Sequence, residues 1–290
     1  MSTTHPHTTV DPTAGPFLIG GDLPVNRLGY GTMQLPGPGA WGPPRDRAAA
    51  IAVLRRAADL GTTFFDTADS YGPGVAEDLL REALHPYDDI VVATKVGFTR
   101  PGPARWATDG RPVHLRAAVE ASLRRLGVER IDLLQLHRID QRVPLADQIG
   151  TLADLRTEGK VRHLGLSEVT VGQLRKAQNI TAVATVQNLY NLAERSADLL
   201  LRYAEAQGIG FIPWYPLATG QLAAPHGPLA QLANALSLTP SQLALAWLLH
   251  RSPVVMPIPG TSSLQHLAQN VAAADVELHP AVVAELDRLG

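Results

Sequence analysis

Apolar residues in this chain gather in eight short runs, over 28–33, 63–66, 90–95, 131–137, 161–166, 182–187, 209–214 and 254–258. Most of the runs are apolar nearly throughout rather than alternating, the pattern of a strand covered on both faces. Between them, apolar positions recur at three and four residues and predict helices over 45–60, 76–84, 115–126, 145–158, 171–178, 196–207 and 241–249. Strand followed by helix, repeated this way, predicts parallel βαβ units. Eight such units favour a closed (β/α)8 TIM barrel over an open sheet. Segment 17–25 reads as a β-hairpin ahead of the first barrel strand, placed to plug the N-terminal end of the barrel. Residues 1–16 are polar and read as a disordered tail, which leaves 17–290 as one barrel domain ending in a helical pattern over 282–289.

On this map the polar residues that interrupt the apolar runs fall at the ends of strands. Lys95 closes the run Asp89-Ile-Val-Val-Ala-Thr-Lys95 and is one of only three lysines among 25 basic residues. Such a lysine either snorkels to solvent or holds a buried counter-charge. Asp66, His137, Ser167 and Gln187 fall at or just after neighbouring strand ends, Tyr71 follows the second strand, and Trp214 closes the seventh. In a barrel these converge on one mouth, the face where barrel enzymes carry their sites. Two loops rich in Gly and Pro, 36–44 and 97–112, follow strand ends as well; they either reverse the chain or reach the substrate, with Trp41 and Trp106 as their aromatic candidates.

These residue types suit carbonyl chemistry. A phenol is a poor proton donor or acceptor near neutrality unless tuned, an adjacent ammonium lowers its pKa, and a carboxylate keeps that ammonium charged and oriented. A neutral histidine beside the phenol donates a hydrogen bond to a carbonyl. A Schiff-base role for Lys95 stays open on the same residues, since a desolvated lysine is a competent nucleophile.

Composition narrows the field. At 290 residues, 45% hydrophobic and 18% charged, the chain can bury a substantial core, and a net charge of -2 gives no footprint for nucleic acid or an anionic membrane. The absence of cysteine excludes disulfides and thiolate metal sites and fits the cytoplasm. His5 and His7 form the only His-x-His pair and lack a third ligand, so no metal site is expected. His163 reads as structural or surface. No apolar run approaches the length of a membrane span. The dinucleotide fingerprint is half present at Gly29-Tyr-Gly31 and Gly72-Pro-Gly74, which argues against a Rossmann site.

The motifs Gly61-Thr-Thr-Phe-Phe-Asp-Thr-Ala-Asp-Ser-Tyr-Gly72, Thr94-Lys95, Leu134-Gln-Leu-His137, Gly165-Leu-Ser167, Val186-Gln187-Asn188 and Ile258-Pro-Gly-Thr261 together resemble the aldo-keto reductase superfamily. The resemblance runs from about residue 25 onward. The segments Asn26-Arg-Leu-Gly-Tyr-Gly-Thr-Met-Gln-Leu35 and Trp41-Gly-Pro-Pro-Arg-Asp46 resemble a bacterial branch that includes pyridoxal reductases. What the resemblance implies is a barrel that binds NADP(H), with NAD(H) as the alternative, and reduces an aldehyde or ketone such as pyridoxal. Tyr71 is then the general acid, Lys95 and Asp66 tune it, and His137 orients the carbonyl. The cofactor contacts implied are Gly31, Thr32, Met33, Asp66, Ser167, Glu168 and Gln187, with Trp214 stacked on the nicotinamide. Tyr215, Pro216, Leu217, Gly220 and Leu222 fall to the pyrophosphate side, and Gly260, Thr261, Ser262, His266 and Asn270 to the adenosine 2′-phosphate and adenine. Trp41 and Trp106 face the substrate.

Two positions depart from the family pattern. Glu168 stands where an asparagine is common, and it accepts hydrogen bonds but cannot donate one. The 2′-phosphate loop has hydroxyls at Ser262 and Ser263 where Lys or Arg is usual, leaving backbone N–H groups and His266 to meet a phosphate. The chain ends at Gly290 without the long C-terminal loop that covers the pocket in some relatives, which implies an open mouth. The expected partner is a small carbonyl compound, with the protein a monomer or weak homo-oligomer. Two other functions compete: a cofactor-sensing regulatory subunit of the same superfamily and the Schiff-base lyase using Lys95.

Overall fold

The computed structural model describes residues 16–289, so the tail expected over 1–16, with His5 and His7, lies outside the described residues apart from Pro16. The chain opens with an antiparallel hairpin, β1 (Phe17–Ile19) and β2 (Leu23–Val25). Then come β3 (Tyr30–Gly31), α1 (Arg47–Asp59), β4 (Phe64–Asp66), α2 (Val75–Leu84) and β5 (Val91–Val96). A second hairpin, β6 (Phe98–Gly102) and β7 (Arg105–Thr108), precedes α3 (Pro112–Leu126) and β8 (Ile131–Leu136). The alternation resumes with α4 (Leu145–Thr157), β9 (Val161–Ser167), α5 (Val171–Gln178), β10 (Thr185–Leu189), α6 (Asp198–Ala206) and β11 (Gly210–Trp214). Helices α7 (Pro228–Ala235), α8 (Pro240–Arg251), α9 (Leu264–Val271) and α10 (Pro280–Asp287) complete it.

Seven strands form one parallel sheet in the order β11-β10-β9-β8-β5-β4-β3, curled into a (β/α)8 barrel. The eighth run, expected over 254–258, is not a regular strand. It closes the ring through two bonds on each side: Phe211 N–H to Val254 O and Met256 N–H to Phe211 O, both 2.8 Å, and Gly29 N–H to Pro257 O, 2.9 Å, with Gly31 N–H to Pro259 O, 3.4 Å. Pro257 and Pro259 carry no N–H, so a full ladder is unavailable to this segment. Segment 97–112, expected as loop, instead contains the β6–β7 hairpin. The termini of α1, α5 and α8 are set by local caps: Asp46 accepts from Ala49 N–H, and Thr170 and Thr239 form capping boxes with Gln173 and Gln242.

The strands read as apolar throughout because their two faces bury against different layers. Phe65 and Val92 face the outer helices, as do Leu134, Leu136, Leu164, Leu166 and Val186. Phe64, Val91, Ala93, Leu133, Ile212, Met256 and Ile258 fill the barrel interior together with Ile19, Leu23 and Val25 of the first hairpin. That hairpin therefore plugs one end, and Asp22 ties it down by accepting from Arg162 (3.0 Å) and pairing with His163 (2.6 Å). His163 is thus structural. Two residues on from the interior hydrophobes, the same inward stripe turns polar at Asp66, Lys95 and Gln135. The apolar half holds the barrel closed, and the polar half is the floor of the opposite mouth.

Candidate active site

Lys95 is fully buried on β5, and its three donors are all used: to Asp66 Oδ1 (2.5 Å), to the Thr67 carbonyl (2.8 Å) and to Tyr71 Oη (3.3 Å). The snorkelling alternative is excluded by this burial. Asp66, at the end of β4, accepts on its other oxygen from Gln135 Nε2 (3.1 Å) and Gln187 Nε2 (2.9 Å). Gly165 makes room for this arrangement, since a Cβ there would lie 2.9 Å from Gln135 Cγ and 2.3 Å from Thr185 Oγ1. Thr32 is buried behind the site, its N–H and hydroxyl both bonded to the Asp66 carbonyl. Burial by itself would push the Lys95 ammonium down, but the attraction of Asp66 and Tyr71 outweighs it and the pKa lies above the ordinary lysine value.

Tyr71 stands on the β4–α2 loop with its ring edge-on to His137 (centroids 5.9 Å apart) and to Trp106 (6.2 Å). Its phenol was expected to be lowered by Lys95. The structure corrects the direction: burial raises it above 10.0, Lys95 opposes that, and Asp66 adds to it by offsetting the lysine charge. At neutral pH the phenol therefore carries its proton. His137 is buried, and its pKa is well below the ordinary histidine value, chiefly from burial and then from the charges of Lys95, Arg138 and Arg100. The imidazole is neutral. Ser70 Oγ lies 3.4 Å from its Nδ1, so with that hydroxyl donating, Nε2 carries the ring hydrogen.

These groups open into a cavity of about 880 Å³ that runs from Tyr71 and His137 to the start of α9. Of the residues singled out in the sequence, Gly31, Met33, Asp66, Tyr71, Trp106, His137, Ser167, Gln187, Trp214, Tyr215, Pro216, Leu217, Gly220, Gly260, Thr261, Ser262, His266 and Asn270 line it. Five do not. Lys95 and Thr32 lie beneath the surface, as described. Leu222 packs against the outer core. Glu168 has a positive φ of 54° that turns its side chain aside, where Oε1 accepts from Trp214 Nε1 (2.6 Å) and Leu189 N–H (2.7 Å). It fixes the tryptophan rather than facing the cavity. Trp41 sits outside the lining, with the Arg100 guanidinium 5.5 Å from its ring and 3.7 Å from that of Trp106.

The structure adds residues the sequence reading missed. Gln135 is a fully buried amide inside an apolar strand, a signal legible once the inward register is known. Arg138 and Phe98 both line the cavity beside His137, while Gln34 and Gln269 join its far part. Arg100 donates to the carbonyls of Gly39, Ala40, Ser70 and Arg105, stitching the 36–44 loop, the Tyr71 loop and the β6–β7 hairpin together.

A model of the "Aldo/keto reductase family" matches residues 27–290. The chain belongs to the aldo/keto reductase family. It is 49% identical over 290 residues to an uncharacterized oxidoreductase of Schizosaccharomyces pombe, covering 100% of this chain and 95% of the relative. It is 43% identical over 279 residues to pyridoxine 4-dehydrogenase of Escherichia coli, covering 92% and 96%. An aldo/keto reductase from Klebsiella pneumoniae, solved in complex with NADP and acetate, superposes with a TM-score of 0.81 at 31% identity over 95% of each chain. The glycerol dehydrogenase of Gluconobacter oxydans superposes with a TM-score of 0.86 at 27% identity over 94% of each chain. This aldo/keto reductase thus shares its fold with an enzyme solved with NADP bound.

Proposed function

We propose that the protein is an NADPH-dependent reductase of aldehydes or ketones, with NADH as the alternative cofactor and pyridoxal as a candidate substrate. The observation that carries this reading is Tyr71: a protonated phenol, hydrogen-bonded to a buried ammonium, at the floor of an elongated cavity and beside a neutral histidine. The cavity suits a dinucleotide. Trp214 offers an aromatic surface held by Glu168; Ser167 and Gln187 offer polar atoms beside it; Gly260 and Gly31 approach so closely that a Cβ on Gly260 would lie 2.6 Å from Gly31 O. Bound there, the nicotinamide supplies hydride.

The chain's own residues supply the rest. With Nε2 carrying the ring hydrogen, His137 donates beside the Tyr71 hydroxyl, their rings edge-on with centroids 5.9 Å apart, to polarise a carbonyl oxygen seated against both. Tyr71 then gives its proton to that oxygen as it becomes an alcohol, and the adjacent Lys95 ammonium stabilises the phenolate left behind. Asp66, held by Gln135 and Gln187, keeps Lys95 charged and aimed. With all three donors taken and its pKa raised, Lys95 is poorly placed as a Schiff-base nucleophile. Trp106 and Phe98 form the apolar wall on the carbonyl side.

Support for the substrate comes from the pyridoxine 4-dehydrogenase relative at 43% identity, and support for the cofactor from the NADP complex at 31%. We further place 17–290 as one catalytic domain of a cytoplasmic monomer or weak homo-oligomer. Among the described residues no single helix is long and apolar enough to cross a membrane. The test is a panel of carbonyl compounds, pyridoxal included, run in parallel with NADPH and NADH. Tyr71→Phe should lower kcat by about 10²–10⁴-fold while cofactor fluorescence titration still shows binding. Full turnover by Tyr71→Phe would remove the mechanism.

A further inference from the structure

Arg138 makes no bond in the reaction described above and serves it only by helping to hold His137 neutral, yet it lines the cavity beside the reacting groups. Its Nη1 donates to the His137 carbonyl (2.7 Å) and to Ser167 Oγ (2.8 Å). A guanidinium has five N–H donors, and these two bonds use both hydrogens of one nitrogen. The Nε and Nη2 hydrogens make no hydrogen bond to the described residues. The flat group is fixed between two rings, 5.9 Å from that of Phe98 and 5.6 Å from that of Trp214. The ion pairs among the described residues do not include it. Glu168 is near enough to favour its charge but is bonded to Trp214 and Leu189 instead.

A partly buried cation with spare donors and no ion pair is an incomplete site, because desolvated charge is stable only when matched. Its position says what would match it. Phe98 lies near both groups: its ring is 4.5 Å from that of His137 and 5.9 Å from the Arg138 guanidinium, and Arg138 and Tyr71 are close enough to feel each other's charge. Tyr71, His137 and Arg138 line the same cavity, so a carbonyl seated at the first two directs its substituents into the space the guanidinium borders. A planar fork of N–H donors suits an oxyanion better than a neutral group.

We propose that Arg138 recognises an anionic oxygen carried two or three bonds from the reacting carbonyl carbon, which makes 2-oxo acids or 2-hydroxyaryl carbonyl compounds the preferred substrates. This deepens the carbonyl-reduction reading and rests on it. Both sources present the same chemistry, a carboxylate in the first and a phenolate in the second, and pyridoxal belongs to the second class. Selectivity arises at Arg138 because its charge is paired only when such a substrate is bound.

The experiment compares kcat/KM for two matched pairs, phenylglyoxylate with its methyl ester, and 2-hydroxybenzaldehyde at a pH where its phenol is ionised with benzaldehyde. In Arg138→Gln the charged-to-neutral ratio of at least one pair should fall by about tenfold or more, and Arg138→Lys should restore part of it. The pair that responds identifies the source of the oxyanion. A parallel fall for all four compounds, with the ratios kept, would overturn the proposal and leave Arg138 as a brace for Ser167. Binding gives a second readout by calorimetry in the presence of NADP⁺. Wild-type protein should bind benzoate about tenfold tighter than benzamide, a preference that Arg138→Gln removes. Equal binding of the two by the wild type would also overturn the proposal. Failure of wild type to turn over any of the four carbonyls would instead remove the reductase reading, with the benzoate preference still reporting on Arg138.

Discussion

A single lysine organises the floor of this barrel. Lys95 is enclosed by an oxyanion, a carbonyl and a phenol, and none of its donors reaches water. Removing it strands Asp66 as an unmatched buried carboxylate. Breaking a pair of this kind costs about 3–5 kcal/mol. Lys95→Met should therefore lose reduction completely and also unfold at markedly lower denaturant concentration, as chemical denaturation would show; an unchanged midpoint would mean the pair is not buried as seen. The residue types at this site were legible in the sequence because ionisable groups at the ends of apolar strands are conspicuous. The direction of the Tyr71 shift was not. A neighbouring ammonium argues for a lowered phenol, and only the full enclosure of the ring, together with Asp66 beside the lysine, makes burial the larger effect.

At the scale of elements, the mouth of the barrel is shaped by pieces that are distant in sequence. The 36–44 loop and the β6–β7 hairpin are breaker-rich and carry no helical or strand periodicity strong enough to foresee a hairpin there. What gives them shape is Arg100, through four backbone carbonyls and a guanidinium 3.7 Å above the Trp106 ring. Arg100→Ala should free both segments. We expect faster amide exchange over 39–41 and 98–108 and a several-fold rise in KM for the carbonyl substrate, with cofactor affinity kept; unchanged exchange would show that the segments hold their shape without it. Trp41 lies beside Arg100, 5.5 Å from its guanidinium, and outside the cavity lining. The apolar run of the eighth strand was clear in the sequence, but two prolines withhold the donors a ladder needs, so the barrel closes through scattered bonds.

For the molecule as a whole, the buried ionisable groups set a pH window for stability. His137 is held neutral, so the unfolded chain binds a proton below about pH 6.5 that the folded protein does not, and stability declines as pH falls through that value. Tyr71 and Lys95 have raised pKa values, so both keep their protons in the folded state where the unfolded chain releases them, above about 10.0 and 10.5. Stability should thus decline again as pH rises past about 10. Thermal melts across the pH range should show a plateau between these limits, and His137→Asn should weaken the acid limb while leaving the alkaline one. Persistence of the full acid limb in that variant would assign it to other groups.

The sequence by itself determined the barrel, its plugging hairpin and the chemical types gathered at its mouth. These follow from local quantities: the period of apolar residues, the strand-helix alternation, and polar groups placed at run ends. Tertiary structure alone decided which of those groups face the cavity and which lie beneath it. Glu168 turned to Trp214 on a positive φ, Gln135 entered the charge network through the inward register of β8, and Arg138 came to lie between Phe98 and Trp214 without an ion pair. The reason is physical. A side chain's partner, its desolvation and hence its charge state depend on neighbours brought together across the barrel, and separation along the chain carries no record of that distance.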